Sequence, residues 1–154
     1  MMSPSPEHEE INLAIMSIVL AACEELDIEV RPLGSATQRR AELQRGAEPD
    51  SSFFFGDVER DPTANCPDLV VEVEISRSAL DKLAIFAQLG VPEVWRCRDA
   101  VAILKLEGSE YVAGARSAFL PLDCAGLSHQ MSLRTQLKRS AWLRGVRQWI
   151  RTCR

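Results

Sequence analysis

An α/β (α+β) fold, strands with packed helices, is predicted by three features of the sequence. Residues 68–75 alternate between two faces as a strand does, and residues 11–26 and 80–88 repeat apolar positions at helical spacing. Short strand patterns recur at 50–56, 93–98 and 101–106. At 154 residues, the chain is predicted to be one domain, large enough to bury roughly two thirds of its unfolded surface without disulfides or metals as staples.

Taken in order, residues 1–8 read as a flexible lead. The first helix follows, with Ile11, Ala14, Ile15, Ile18, Val19 and Ala22 on one face and acids at its start. His8 precedes this helix and reads as a surface residue. Residues 28–33 form a short strand that ends at the Gly34-Ser35 turn. In the segment after it, Arg39, Arg40 and Arg45 interleave with Glu42 and Glu48, a pattern that serves surface ion pairing or phosphate contact equally well. Pro49 favours an extended entry into a second strand at 50–56, whose three phenylalanines are core, and 57–66 is a loop.

The stretch 67–95, PDLVVEVEISRSALDKLAIFAQLGVPEVW, organises the rest. Leu69, Val71, Val73 and Ile75 share one strand face, and Asp68, Val70, Glu72 and Glu74 share the other. Glu72 and Glu74 are two residues apart on that face, roughly 6.5 to 7 Å. A divalent cation or a lysine makes such a pair tolerable, and a half-buried strand with a solvated acidic face gives the same pattern. Ser76 or Ser78 is suited to cap the next helix, which contains Asp81 and Lys82 and stops at Gly90. Lys82 near the helix N-terminus opposes the dipole, which raises the question of whether it turns toward the carboxylates.

Residues 93–98 and 101–106, with Tyr111-Val112, predict a hairpin or meander. Residues 132–154 predict one basic amphipathic helix, with Leu133, Leu137, Ala141, Trp142, Val146, Trp149 and Ile150 opposite the arginines. Net charge is only −4, yet residues 131–154 contain no acid, so an acidic body carries a basic end. That asymmetry suits a cation-holding site beside a phosphate-attracting patch, or a solvated helix face. The five cysteines are scattered without CxxC spacing and read as reduced thiols. The N-terminus has no basic n-region and no apolar run is long enough to span a bilayer, so a soluble cytoplasmic protein is expected.

GSATQRRAELQRGAEPDSSFFF followed by PDLVVEVEISRSALDKLAIFAQLGVPEVWR strongly resembles the Uma2 family of restriction-endonuclease-like proteins, within the PD-(D/E)XK nuclease superfamily. The likeness is detailed over residues 34–98 and looser over the first helix and the closing RGVRQWIR. It implies a restriction-endonuclease-like core, a mixed central sheet flanked by helices with the site on two adjacent strands. It further implies a metal-dependent endonuclease that hydrolyses DNA with Mg²⁺ (or Mn²⁺). Carried over by residue, Asp50 and Glu72 match the two metal-binding acids, and Lys82 matches a lysine presented from the following helix. Glu74 stands where the superfamily usually has lysine, so it is expected to act as a further ligand or base, or else to mark a silent site. Arg39, Arg40, Arg144 and Arg147 are the candidate contacts to the nucleic-acid backbone. A catalytically inactive binding or interaction module is the alternative, and a homodimer through the C-terminal stripe goes with it.

Overall fold

A computed structural model describes residues 5–40, 45–74 and 79–153. In chain order the elements are α1 (Pro6–Leu26), β1 (Val30–Pro32), β2 (Gln38–Arg40), β3 (Arg45–Ala47), β4 (Ser51–Phe55) and β5 (Leu69–Val73). They continue with α2 (Ala79–Leu89), β6 (Glu93–Cys97), β7 (Val101–Glu107), β8 (Glu110–Gly114), α3 (Cys124–Leu133) and α4 (Arg139–Thr152). A six-stranded sheet has the order β1-β4-β5-β6-β7-β8, and β2 and β3 pair separately. The sheet is mixed: β5 and β6 run parallel and every other neighbouring pair is antiparallel. The parallel pair exists because α2 carries the chain back across the sheet, a return that no tight turn can make.

Alternation along β5 sorts the core. Leu69, Val71 and Val73 enter the larger cluster, where Ile15 and Ile18 of α1 meet Trp95, Ile103, Trp142, Val146 and Ile150. Val70 faces the other way and packs with Phe86, Leu89, Val91 and Val94. Thus α1, α3 and α4 cover one side of the sheet and α2 covers the other. All five residues of β5 are buried. None of the described cysteines is in a disulfide, and burial pushes the thiols of Cys23 and Cys97 up to about 12.

Three expectations change at the ends of the chain. The flexible lead is shorter than predicted, because α1 already starts at Pro6. Ser5 caps it by accepting the His8 N–H at 3.1 Å, and proline suits the first helical position because its missing N–H needs no partner there. The predicted helix over 132–154 is two helices. Leu133 closes α3, α4 starts at Arg139, and Leu137 between them is 47% exposed. Around the break, Ser132, Thr135 and Gln136 bond back to nearby carbonyls, which competes with the helical ladder. The third is α3 itself, unforeseen although Asp123 caps it by accepting the Gly126 N–H at 2.7 Å. The β2–β3 pair was likewise not anticipated. The proposed caps Ser76 and Ser78 lie outside the described residues, as do Glu42 and the side chain of Asp81.

Candidate active site

The register of β4 against β5 pairs Ser51 with Val71 and Ser52 with Val70, so Asp50 falls at the next step, opposite Glu72. There the Asp50 side chain replaces a ladder carbonyl: its Oδ2 accepts the Val73 N–H at 2.7 Å. Its other oxygen, Oδ1, lies 3.2 Å from His8 Nε2 on α1. One turn along the same helix, Asn12 Nδ2 donates to the Asp50 carbonyl at 3.2 Å, while Asn12 Oδ1 accepts from Ser51 Oγ at 2.7 Å.

Glu72 points to the α2 side of the sheet and is 2% exposed. Its Oε2 lies 3.4 Å from Lys82 Nζ, and its Oε1 is buried with no hydrogen-bond partner. Burial, and after it the Asp50 charge, pushes the Glu72 carboxyl up to about 7, against the opposing pull of Lys82 and the Asp50 amide. Lys82 also donates to the Glu48 carbonyl at 2.9 Å. That second anchor ties the helix lysine to the segment leading into Asp50. The structure therefore gathers Asp50, Glu72 and Lys82, from β4's entry, β5 and α2, around one strand end.

Glu74 is placed differently. Both its oxygens accept from Nη2 of Arg96, the β6 residue that sits beside Glu72 in the parallel register. This pairing occupies the carboxylate that was expected to bind metal or act as a base. Asp68, earlier on the same face, is held by Arg60 at 2.6 Å, and that guanidinium also lies over the Phe54 ring at 4.5 Å. The alternative of a solvated acidic face is corrected: Asp68, Glu72 and Glu74 each face a cation, and none of the three is exposed.

The candidate nucleic-acid residues separate. Arg39 and Arg40 pair through their backbones with Gly46 and Arg45, and their side chains lie outside what the structure describes. Arg144 is exposed on α4. Arg147 reaches Glu24 at 2.6 Å and Glu25 at 3.2 Å, with Arg151 also on Glu25, so these charges fasten α4 to α1.

His8, Asn12 and Arg96 are the site neighbours that sequence reasoning did not assign. A signal existed for the first two: Ser5-Pro6 is a helix start, which puts His8 and Asn12 on one face a turn apart. Nothing local could have paired Arg96 with Glu74.

The described residues contain no cluster of three or more His, Cys, Asp or Glu side chains able to hold a metal ion. Two carboxylates are what the site offers. That donor set fits Mg²⁺ or Mn²⁺, hard ions that bind through one or two carboxylates and keep several waters. The unpartnered Oε1 of Glu72 is the atom such an ion would satisfy.

The mixed six-stranded sheet with helices on both faces defines an α+β protein. Residues 1–119 match the model of the Uma2 family, described as "putative restriction endonuclease", and the chain belongs to that family. The match takes in α1 and the acid-bearing strands but stops short of the closing RGVRQWIR, which carries the looser part of the resemblance. Among solved structures the fold resembles a putative nuclease belonging to DUF820 from Anabaena variabilis. That chain is 15% identical, with a TM-score of 0.60 over 92% of this chain and 84% of the other. Among curated proteins nothing matches the sequence. The family description supports a nuclease, and the structural neighbour supports the fold. Among the described residues no helix is long and apolar enough to cross a membrane.

Proposed function

We propose that this protein is a metal-dependent endonuclease that hydrolyses phosphodiester bonds of DNA at the strand end occupied by Asp50, Glu72 and Lys82. The observation that carries the reading is the Glu72 carboxylate: buried, coupled to Asp50, and left with one oxygen unpartnered 10 residues before the lysine that binds the other. A structural acid in that setting would have its second oxygen satisfied, as buried polar groups usually do.

Asp50 and Glu72 would hold Mg²⁺ or Mn²⁺ through their oxygens. When bound, the ion supplies Lewis-acid chemistry, polarising a phosphoryl oxygen and making water more acidic. Lys82, anchored on the Glu48 carbonyl and Glu72, is poised to orient the attacking water and to offset charge that builds on the phosphoryl group. Arg96 neutralises Glu74, so the glutamate at the usual lysine position adds no net repulsion to a polyanionic substrate. Arg144, with Arg39 and Arg40, would meet the DNA backbone without reading bases. Scattered cysteines outside any disulfide suit a cytoplasmic protein.

Glu74 also favours a second reading, a nuclease-fold protein that binds nucleic acid without cutting it. A nicking assay with Mg²⁺ or Mn²⁺ on plasmid and single-stranded DNA separates the two. Metal-stimulated cleavage that disappears in Glu72→Ala and drops steeply in Lys82→Ala is expected. Cleavage surviving both substitutions would sink the mechanism, and salt-sensitive binding without cleavage would establish the silent alternative.

A further inference from the structure

We infer that His8 is a positioning residue for Asp50, holding that carboxylate in the orientation in which it shares a divalent ion with Glu72. The inference rests on the metal-dependent reading above and extends the site to a residue on α1.

The start of α1 is built to deliver this imidazole. Ser5 accepts the His8 N–H, Pro6 sets the first helical dihedral, and the His8 ring is then only 16% exposed and turned inward. Its Nε2 stands 3.2 Å from Asp50 Oδ1. Its Nδ1 is buried and has no hydrogen-bond partner, since Glu9 Oε1 at 3.7 Å is too far. Burying a ring nitrogen unsatisfied is costly, and packing alone would be served better by leucine or phenylalanine. What a histidine adds at this position is the Nε2 edge facing Asp50.

The other side of the contact is equally specific. Asp50 Oδ2 is fixed by the Val73 N–H and the Asp50 carbonyl by Asn12, one turn after His8 on the same helix face. Only Oδ1 lacks a restraint from the sheet. A proton on Nε2 at this 3.2 Å approach would bias the rotation of the carboxylate and offset its repulsion with Glu72, one register step beyond the Ser51–Val71 pair. Groups that orient a metal-binding side chain in this way typically affect ion affinity about 10- to 100-fold.

The test is Mn²⁺ binding to the full chain without DNA, followed by electron paramagnetic resonance, with thermal melts of each variant beforehand. His8→Ala is expected to weaken Mn²⁺ binding about 10-fold or more. His8→Gln, whose amide N–H can reach the position of Nε2, is expected to recover most of it. Unchanged affinity in His8→Ala overturns the inference while leaving the nuclease reading intact. Equal loss in both variants also overturns it, because the ring's packing and not its donor would then matter. Wild-type protein that binds no Mn²⁺ overturns the metal-dependent reading itself, and this role with it.

Discussion

Arg96 on β6 takes both oxygens of Glu74, the residue standing where nucleases of this superfamily resemblance usually carry lysine. A cation is therefore present at this level of the sheet, contributed by the neighbouring strand and already bound to an acid. The pair is mostly buried, with side chains 30% and 17% exposed.

Removing one partner leaves the other charge stranded. Arg96→Ala or Glu74→Ala should each cost about 1–3 kcal/mol in urea denaturation. The double variant should cost clearly less than the sum, and strict additivity in the cycle would show that the pair is not coupled. Glu74→Gln should keep cleavage within about tenfold of wild type, whereas loss of a general base typically costs 10²–10⁴-fold.

Stability without metal should fall as pH rises. The Glu72 carboxyl moves from its ordinary 4.5 to about 7 on folding, so the folded state binds its proton more tightly. That contribution is complete below pH 4.5 and is lost as pH passes through about 7, an effect on the order of 3 kcal/mol. Denaturant midpoints in chelator at pH 5 and pH 8 measure it. Glu72→Gln should flatten the dependence, and a wild-type profile with no decline over this window would contradict the assignment.

Gly126 offers a test of α3 packing with an informative sign. A Cβ there would clash with Trp149 Cζ2 on α4. In an exposed helix, alanine for glycine usually stabilises by about 0.5–1 kcal/mol. Here Gly126→Ala should destabilise by about 1–3 kcal/mol, because the indole must move. A raised melting temperature would mean that the two helices do not meet as described.

The arginines of α4 should differ in their effect on DNA. Arg147 is spent on Glu24 and Glu25, whereas Arg144 is exposed. In salt titrations of DNA binding, Arg144→Ala should reduce the slope of log K against log salt by about 0.9, the share of one phosphate contact. Arg147→Ala should leave that slope nearly unchanged. Equal reductions would place both charges on the nucleic acid.

Much of the fold was legible because local patterns and tertiary demands agree. The apolar face of α1, the alternation of β5 and the stop at Gly90 each follow from a period or a turn residue. The helix break before Arg139 was not legible, because Leu133 and Leu137 keep a helical spacing straight through it. The hydrogen bonds made by Ser132, Thr135 and Gln136 decided the matter instead. Within the site, the resemblance named Asp50, Glu72 and Lys82 from motif order, whereas residue periodicity alone favoured a solvated strand.

By itself, the sequence determined which residues could share a face: an acidic strand, a lysine on the helix after it, and an aspartate at the start of the preceding strand. Spacing along a chain sets these directions because side chains alternate in strands and repeat every 3.6 residues in helices. Only the tertiary structure decided the partners. It gave Glu74 to Arg96, Asp68 to Arg60 and Arg147 to α1, and it left Glu72 with Lys82 and one free oxygen. Those choices depend on strand order and register, which bring residues 22 positions apart into contact at a depth where a charge must be matched.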